Sequence, residues 1–318
     1  MSALRPYASS ATRSQVSRDK LHNSLHKALL IFLFVAPGMA IFLTFLLIPV
    51  LGSVRYSLYK WDGFGPLTNY VALANYERLY NHSVFRLAVQ HSFMLMAMSI
   101  TIQLPMALAI ALLVGRGTLP GSRIFRLLLF VPYVFSEPIT AIIWLYVLHP
   151  QSGLANLTLD ALLPGTNRVA WLGDRDIVLY SVFGVLTWKY FGFYMILYMA
   201  GLQGVNRDLE EAARVDGANW RQVLWKITLP LMGNTIRLTV FLSVLGSFQQ
   251  FVTIWVLTQG GPVNGSEVLA TYLYKYGIQR FNLGYGSAVA VVLFMITLVF
   301  SLGYQRLVMR QDYSAEVF

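Results

Sequence analysis

Cysteine is absent from this sequence of 318 residues. Its absence excludes disulfide bonds and thiolate metal sites. Only five histidines are present, and their positions do not suggest a ligand set, so the sequence predicts no bound metal ion.

Charged residues are also scarce. They make up 12% of the chain, against 56% hydrophobic residues, and the mean hydropathy is +0.57. This composition is typical of a membrane protein and not of a soluble globular domain.

Six segments are long and apolar enough to cross a bilayer, which takes about 20 helical residues. Four of them contain no charged residue, and the other two each contain one, Glu137 or Lys189. The sequence therefore predicts an all-α membrane protein with six transmembrane helices, at residues 28–54, 87–115, 127–148, 177–202, 238–266 and 283–305.

The positions of Lys and Arg predict the orientation. With the N-terminus inside, fifteen of the 24 basic residues lie in cytoplasmic segments, eight lie in outer loops and Lys189 lies within a span. Basic residues near span ends are retained in the cytoplasm, so both termini are predicted to be cytoplasmic. We expect a basic tail at 1–27, a six-helix domain at 28–307 with a cytoplasmic loop at about 203–230, and a C-terminal tail at 308–318.

Several motifs of enzymes are missing. The sequence has no Gly-x-x-x-x-Gly-Lys-Ser/Thr loop for a nucleotide phosphate, no Gly-x-Ser-x-Gly elbow and no His-Glu-x-x-His helix. The net charge of +10 is spread along membrane edges, which disfavours nucleic-acid binding. A membrane-embedded enzyme stays open, but no cluster of acid, base or nucleophile supports it, and transport is favoured.

A polar segment separates the fourth and fifth spans. Its pattern predicts an amphipathic helix, a turn at Gly217 and a second helix that ends near Pro230. From the pattern alone, a helix pair lying on the membrane surface explains it equally well.

The full string of this segment is Glu211-Ala-Ala-Arg-Val-Asp216-Gly217-Ala, followed by Ile227-Thr-Leu-Pro230. It resembles the signature of the permease subunits of binding-protein-dependent ABC importers, in the carbohydrate-uptake branch of the maltose and glycerol-3-phosphate systems. Further likeness lies in Thr187-Trp-Lys189, Gly201-Leu-Gln and Phe281-Asn-Leu-Gly-Tyr-Gly, so that the resemblance covers roughly residues 28–307.

The resemblance implies a type I ABC importer permease in a bacterial or archaeal cytoplasmic membrane. Its implied partners are a second permease, two ATPase subunits that bind ATP and Mg²⁺, an extracytoplasmic solute-binding protein, a sugar and lipid. No cofactor is expected in this chain. The residues implied to couple it to the ATPase are Glu211, Ala212, Ala213, Asp216 and Gly217, and those implied to contact the binding protein are Gly260, Gly261 and Pro262.

Charges inside a membrane are costly, which makes Glu137 and Lys189 functional candidates, although Lys189 could also reach an interface or a neighbouring helix. Glu137 follows Tyr133 by four residues, which would place both on one helical face. A polar stripe in span five, formed by Ser243, Ser247 and Gln250, must face water or protein, either a substrate path or a contact between permeases.

Matching the chain without gaps to the maltose-type permease places several of these residues at its sugar site. The implied substrate path is Tyr133, Glu137, Tyr190, Phe193, Ser243, Ser247 and Gln250. Glu137 and Tyr190 replace smaller residues of the family, so maltose itself is not implied. The expected function is import of a di- or oligosaccharide; the alternatives are another small solute such as glycerol-3-phosphate, or an ion-coupled carrier.

Overall fold

The computed structural model describes residues 27, 29–116, 121–165 and 167–309. The tails predicted at 1–27 and 308–318 lie almost entirely outside these residues. The chain divides into two units, one ending at Arg55 and one beginning at Tyr56.

Helices form nearly all of the regular structure in the described part of the chain, where an isolated bridge between Tyr59 and Tyr70 is the sole β pairing. The long helices are α1 (Leu29–Tyr56), α3 (Ser83–Val114), α7 (Val178–Gln203) and α13 (Leu283–Met309). The shorter ones are α2 (Ala74–Asn81), α4 (Ser122–Val134), α5 (Glu137–Val147), α6 (Leu154–Leu162), α8 (Arg207–Val215), α9 (Trp220–Leu231), α10 (Gly233–Gln249), α11 (Val252–Thr258) and α12 (Leu269–Leu273).

The four long helices are each long and apolar enough to cross a membrane. The remaining two predicted spans are bent. The span predicted at 127–148 consists of α4 and α5, which meet at 102°, and the span predicted at 238–266 belongs to a pair, α9 and α10, that meets at 67°. The first predicted span is therefore interrupted between Val134 and Glu137, and the second is shorter than predicted, since α10 ends at Gln249 instead of continuing to residue 266.

Three of the five π-helical turns in the described residues are followed by a proline. Pro49, Pro105 and Pro230 each stand two residues after a π-helical turn, at Leu43–Leu47, Ser99–Gln103 and Leu224–Thr228. Proline lacks the N–H that would bond the carbonyl four residues earlier, and its ring crowds that carbonyl. The wider turn removes this conflict, so each helix continues past its proline.

The helix α7 is the centre of the second unit. Of its most apolar stretch 61% is buried, against 33% in α3 and 17% in α13. Two of the three hydrophobic clusters of this unit include residues of α7, packed against α3, α5 and α11 on one side and against α3 and α10 on the other. The third cluster joins α3, α10, α12 and α13.

Gly192 of α7 allows α4 to approach closely, because a Cβ at this position would overlap the carbonyl oxygen of Leu129. We expect Gly192→Ala to lower the free energy of unfolding by about 1–3 kcal/mol through overpacking. Thermal unfolding of the purified protein in detergent measures this change.

Gly184→Ala is the matched control, because Gly184 lies on the same helix and a Cβ there would meet no atom within 4 Å. The helix preference of alanine should make this variant neutral or more stable by up to about 1 kcal/mol. Equal melting temperatures for the two variants would contradict the packing of α4 on α7.

Candidate functional site

The site begins where α4 ends. The backbone at Phe135 and Ser136 is extended, with ψ angles of 143° and 153°, and α5 then begins at Glu137 with Pro138 in its first turn. The prediction that Tyr133 and Glu137 lie on one helical face was wrong, since the two residues stand on opposite sides of this break. As the first residue of α5, the Glu137 carboxylate lies at the positive end of a helix dipole.

Lys189 supplies a hydrogen-bond donor to the backbone at the helix break. Its side chain is buried, with 4% of the residue exposed, and Nζ donates to the Phe135 carbonyl oxygen at 2.5 Å. A carbonyl at the end of α4 has no intrahelical donor and must find another one inside a membrane. Lys189 therefore stabilises the helix break, and it does not reach an interface.

A cavity of about 240 Å³ lies beside the break, between α3, α5, α7 and α10. It contains five of the seven residues predicted to form a substrate path: Glu137, Tyr190, Ser243, Ser247 and Gln250. The other lining residues are Leu95, Ser99, Gln103, Phe183, Leu186, Tyr194, Gly246 and Gln249.

Hydrogen bonds fix most polar groups of this cavity. The Tyr190 hydroxyl donates to Glu137 Oε1 at 2.6 Å, and Ser247 Oγ donates to the Ser243 carbonyl at 2.9 Å. Gln250 follows the last residue of α10, and its Oε1 atom is buried without a hydrogen-bond partner. A buried acceptor without a donor is costly, so this oxygen is prepared to accept a hydrogen bond from a ligand.

Tyr133 and Phe193 support the cavity from behind. Their rings stack with centroids 4.9 Å apart, and the Tyr133 ring meets the Tyr190 ring edge-on at 6.2 Å. Neither of the two lines the cavity. They therefore contact the cavity indirectly, through the Tyr133 ring against the ring of Tyr190.

The sequence reasoning missed Ser99 and Gln103 as lining residues. Ser99 Oγ contacts Ser243 Oγ at 2.7 Å, which joins α3 to α10, and it also donates to Gln103. The signal was available, because two polar residues four apart in a predicted span lie close to one helical face.

The polar segment folds as the predicted helix, turn and helix. Gly217 has φ of +88°, which suits glycine, and the amides of Gly217 and Ala218 bond the carbonyls of Arg214 and Ala213 to close α8. Asn219 and Gln222 then exchange side-chain hydrogen bonds at 2.8 and 3.0 Å that begin α9. We call α8, this turn and α9 the hairpin.

The hairpin exposes most of the residues expected to meet a partner. Glu211, Ala212, Asp216 and Gly217 are exposed and Ala213 is half-buried. The buried glutamate is the neighbouring Glu210, at 3% exposure, which pairs with Arg116 and accepts a hydrogen bond from Thr228 Oγ1 at 2.6 Å. The sequence reasoning missed Glu210, since nothing in the pattern distinguishes two adjacent glutamates.

The loop that contains Gly260, Gly261 and Pro262 is anchored by a buried carboxylate. Glu267 has no exposed surface, its Oε2 lies 2.9 Å from Lys275 Nζ, and a Cβ on Gly260 would collide with it. Gly260 is consequently buried, and Gly261 and Pro262 are half-buried. Val263 of this loop is 70% exposed.

Comparison with known proteins gives consistent matches along the chain. The family model described as "Binding-protein-dependent transport system inner membrane component" matches residues 103–312. The probable ABC transporter permease protein YurN of Bacillus subtilis is 35% identical over 85% of this chain and 93% of its own length.

Two relatives carry a substrate in their names. The diacetylchitobiose uptake system permease protein NgcF of Streptomyces coelicolor is 30% identical over 84% of this chain and 79% of its own length. The lactose transport system permease protein LacF of Rhizobium radiobacter is 30% identical over 85% and 91%. A chain of the bacterial alginate ABC transporter, solved with an alginate pentasaccharide-bound periplasmic protein, shares the fold with a TM-score of 0.79 at 23% identity, covering 92% of this chain and 98% of that one.

Removing the Lys189 ammonium should leave the Phe135 carbonyl without its donor at the helix break. We expect Lys189→Met to lower the free energy of unfolding by about 1–3 kcal/mol, measured by thermal unfolding in detergent. The exposed Lys226 provides the control substitution Lys226→Met, which should leave the melting temperature unchanged. A Lys189→Met protein as stable as this control would show that the break does not depend on Lys189.

Proposed function

The chain belongs to the family of binding-protein-dependent transport system inner membrane components, and from this membership we propose that it is the permease subunit of an ATP-driven sugar importer. Members of this family are transport components of the inner membrane. The chain would form half of the translocation path, and hydrolysis of ATP with Mg²⁺ would take place on separate ATPase subunits.

The cavity is the observation that carries the proposal. It combines an unpartnered amide oxygen at Gln250, hydroxyls at Ser243 and Ser247, and the aromatic residues Tyr190 and Tyr194. Sugars offer hydroxyl donors and apolar C–H faces, which suit amide acceptors and aromatic rings respectively. The names of the relatives NgcF and LacF, which refer to diacetylchitobiose and lactose, support this substrate class.

The cavity volume favours a site shared with a second permease. About 240 Å³ is less than the roughly 300–1,000 Å³ of pockets that enclose drug-sized ligands. One sugar unit would lie here, and the remainder of a di- or oligosaccharide would contact the partner permease.

The charge of the cavity also bears on which class of sugar would bind. Glu137 is the one carboxylate among the lining residues, and the Lys189 ammonium is bound to the Phe135 carbonyl instead of lining the cavity. A carboxylate in the wall of a cavity repels anionic ligands and accepts hydrogen bonds from neutral hydroxyls. Neutral sugars are therefore favoured over uronates and sugar phosphates, and glycerol-3-phosphate is disfavoured.

The proposed mechanism is alternating access. A solute-binding protein would dock on the outer loops, including the segment around Gly261, Pro262 and Val263, and deliver the sugar. The hairpin would sit in a cleft of the ATPase, with Glu211 and the exposed Val215 at the contact, and ATP binding would move it. An apolar side chain that is 87% exposed in the isolated chain is expected at such an interface.

Reconstitution tests the proposal directly. The chain is co-purified with its partner permease and ATPase, placed in proteoliposomes and assayed for ATP hydrolysis with binding protein and a panel of neutral and anionic sugars. We expect one neutral di- or oligosaccharide to stimulate both hydrolysis and uptake. Uptake that follows an ion gradient without ATP would instead establish a secondary carrier.

Substitution of the polar stripe tests the cavity. Ser247→Leu combined with Gln250→Leu should reduce sugar uptake at least tenfold, since two groups that bind hydroxyls are replaced by apolar ones. Assembly with the ATPase should persist. Thr101→Leu, at an exposed position of α3 outside the cavity, is the control and should transport normally. Unchanged uptake and sugar selectivity in the double variant would contradict the assignment.

Reversal of one charge tests the hairpin contact. Glu211→Lys should abolish uptake while membrane insertion remains intact, because the exposed carboxylate is lost from the ATPase contact. Asp208→Lys makes the same charge change at another exposed position of α8 and should retain most uptake. Co-purification of the ATPase is measured for both, and normal uptake by the Glu211→Lys protein would refute the contact.

A further inference from the structure

The helix α8 is attached to the rest of the protein by one buried side chain. Glu210 is the single buried residue between Arg207 and Val215. The apolar residues of α8 point elsewhere, since Leu209 is 50% exposed and Val215 is 87% exposed. The helix is therefore attached through the polar contacts of Glu210, which we call the joint. Most surface helices pack through an apolar face instead.

The joint binds two different elements through one carboxylate. Glu210 Oε1 pairs with Arg116 Nη2 and accepts a hydrogen bond from Thr228 Oγ1 at 2.6 Å, while Thr228 itself is 4% exposed. A buried carboxylate is tolerated because both partners compensate its desolvation, and such pairs fix the register between elements. An apolar contact would permit sliding, and this one does not.

Arg116, the first partner of Glu210, lies just beyond the end of α3, and α3 also lines the cavity. Arg116 follows the end of α3, where Arg126 donates to the Val114 and Gly115 carbonyls at 2.8 and 3.3 Å. The helix runs from there back to Gln103, about 16 Å away at 1.5 Å per residue. Gln103 lines the cavity, and with Ser99 it belongs to the π-helical turn of α3.

Thr228, the second partner of Glu210, lies in the helix that precedes α10, and α10 forms another wall of the cavity. Thr228 ends the π-helical turn of α9, and α10 follows with Ser243 and Ser247 in the cavity lining. The two walls meet at the hydrogen bond between Ser99 and Ser243, whose Oγ atoms are 2.7 Å apart. A closed path thus runs from Glu210 through α3 to the cavity and back through α10 and α9.

We infer that Glu210 is the positioning residue that transmits movement of the hairpin to both walls of the cavity. This inference rests on the proposed function of an ATP-driven importer. A displacement of α8 pulls Arg116 and Thr228 together, so the α3 and α10 walls move as one. Without the carboxylate, the ATPase can still move the hairpin, but the walls no longer follow.

The test uses the assembled complex with Glu210→Gln, which keeps the size of the side chain and removes its charge. Sugar uptake and ATP hydrolysis are measured together in proteoliposomes. We expect the number of ATP molecules hydrolysed per sugar imported to rise at least tenfold, while stimulation of hydrolysis by the binding protein persists. A residue with a purely structural role would lower both rates and leave their ratio unchanged.

A second readout follows the cavity itself. Because the chain has no cysteine, Gln249→Cys supplies a single thiol at the cavity wall, and its labelling on this subunit is resolved by electrophoresis. Labelling should change with ATP in the parent complex and stay constant with Glu210→Gln. The control Asp208→Asn, at an exposed position of α8, should behave like the parent.

Charge exchange completes the test. Glu210→Arg with Arg116→Glu restores an ion pair and should recover at least part of the coupling that either single variant loses. A parental ratio in the Glu210→Gln complex would overturn the inference. If that complex does not assemble, Thr228→Val is measured instead, and a parental ratio there would also overturn it. Absence of ATP-driven uptake in the parent complex would refute the proposed function and not this joint.

Discussion

The hydrogen bond from Lys189 to the Phe135 carbonyl permits the feature on which the site depends, a helix break inside an apolar span. Backbone groups that leave a helix at membrane depth find no water, so a break requires a donor from the protein. Lys189 supplies it from the neighbouring helix α7. With the break stabilised, α5 can begin at Glu137, whose carboxylate then accepts a hydrogen bond from the Tyr190 hydroxyl in the cavity wall.

The same constraint applies to the other polar side chains between the helices, which need hydrogen-bond partners from the protein. In the described part of the second unit, apolar clusters pack the helices together, and polar contacts add to them, among them the Lys189–Phe135 bond, the Ser99–Ser243 bond and the Glu210 joint. Each of these contacts joins two elements that the chain separates widely. Apolar packing gives the bundle its stability, and these polar contacts link particular pairs of elements.

Sequence patterns predicted the features that depend on residues close together in the chain. The length of apolar runs predicted the spans, and the glycine between two amphipathic stretches predicted the hairpin, which the structure closes at Gly217 with φ of +88°. The helix break was missed although Ser136, Glu137 and Pro138 have the usual sequence signals of a helix start. Its hydrogen-bond donor was not predictable from a local pattern, because Lys189 lies 54 residues away in the chain. Likewise, burial of Glu210 and exposure of Glu211 depend on Arg116, which lies 94 residues away in the chain.

The central claim is that the cavity beside the helix break holds the transported sugar. A cryo-electron microscopy structure of the assembled importer, trapped with its sugar and binding protein, tests it most directly. The account predicts sugar density between α3, α5, α7 and α10, with a hydroxyl within hydrogen-bond distance of Gln250 Oε1. Sugar density confined to other surfaces, with this cavity empty or closed, would contradict it.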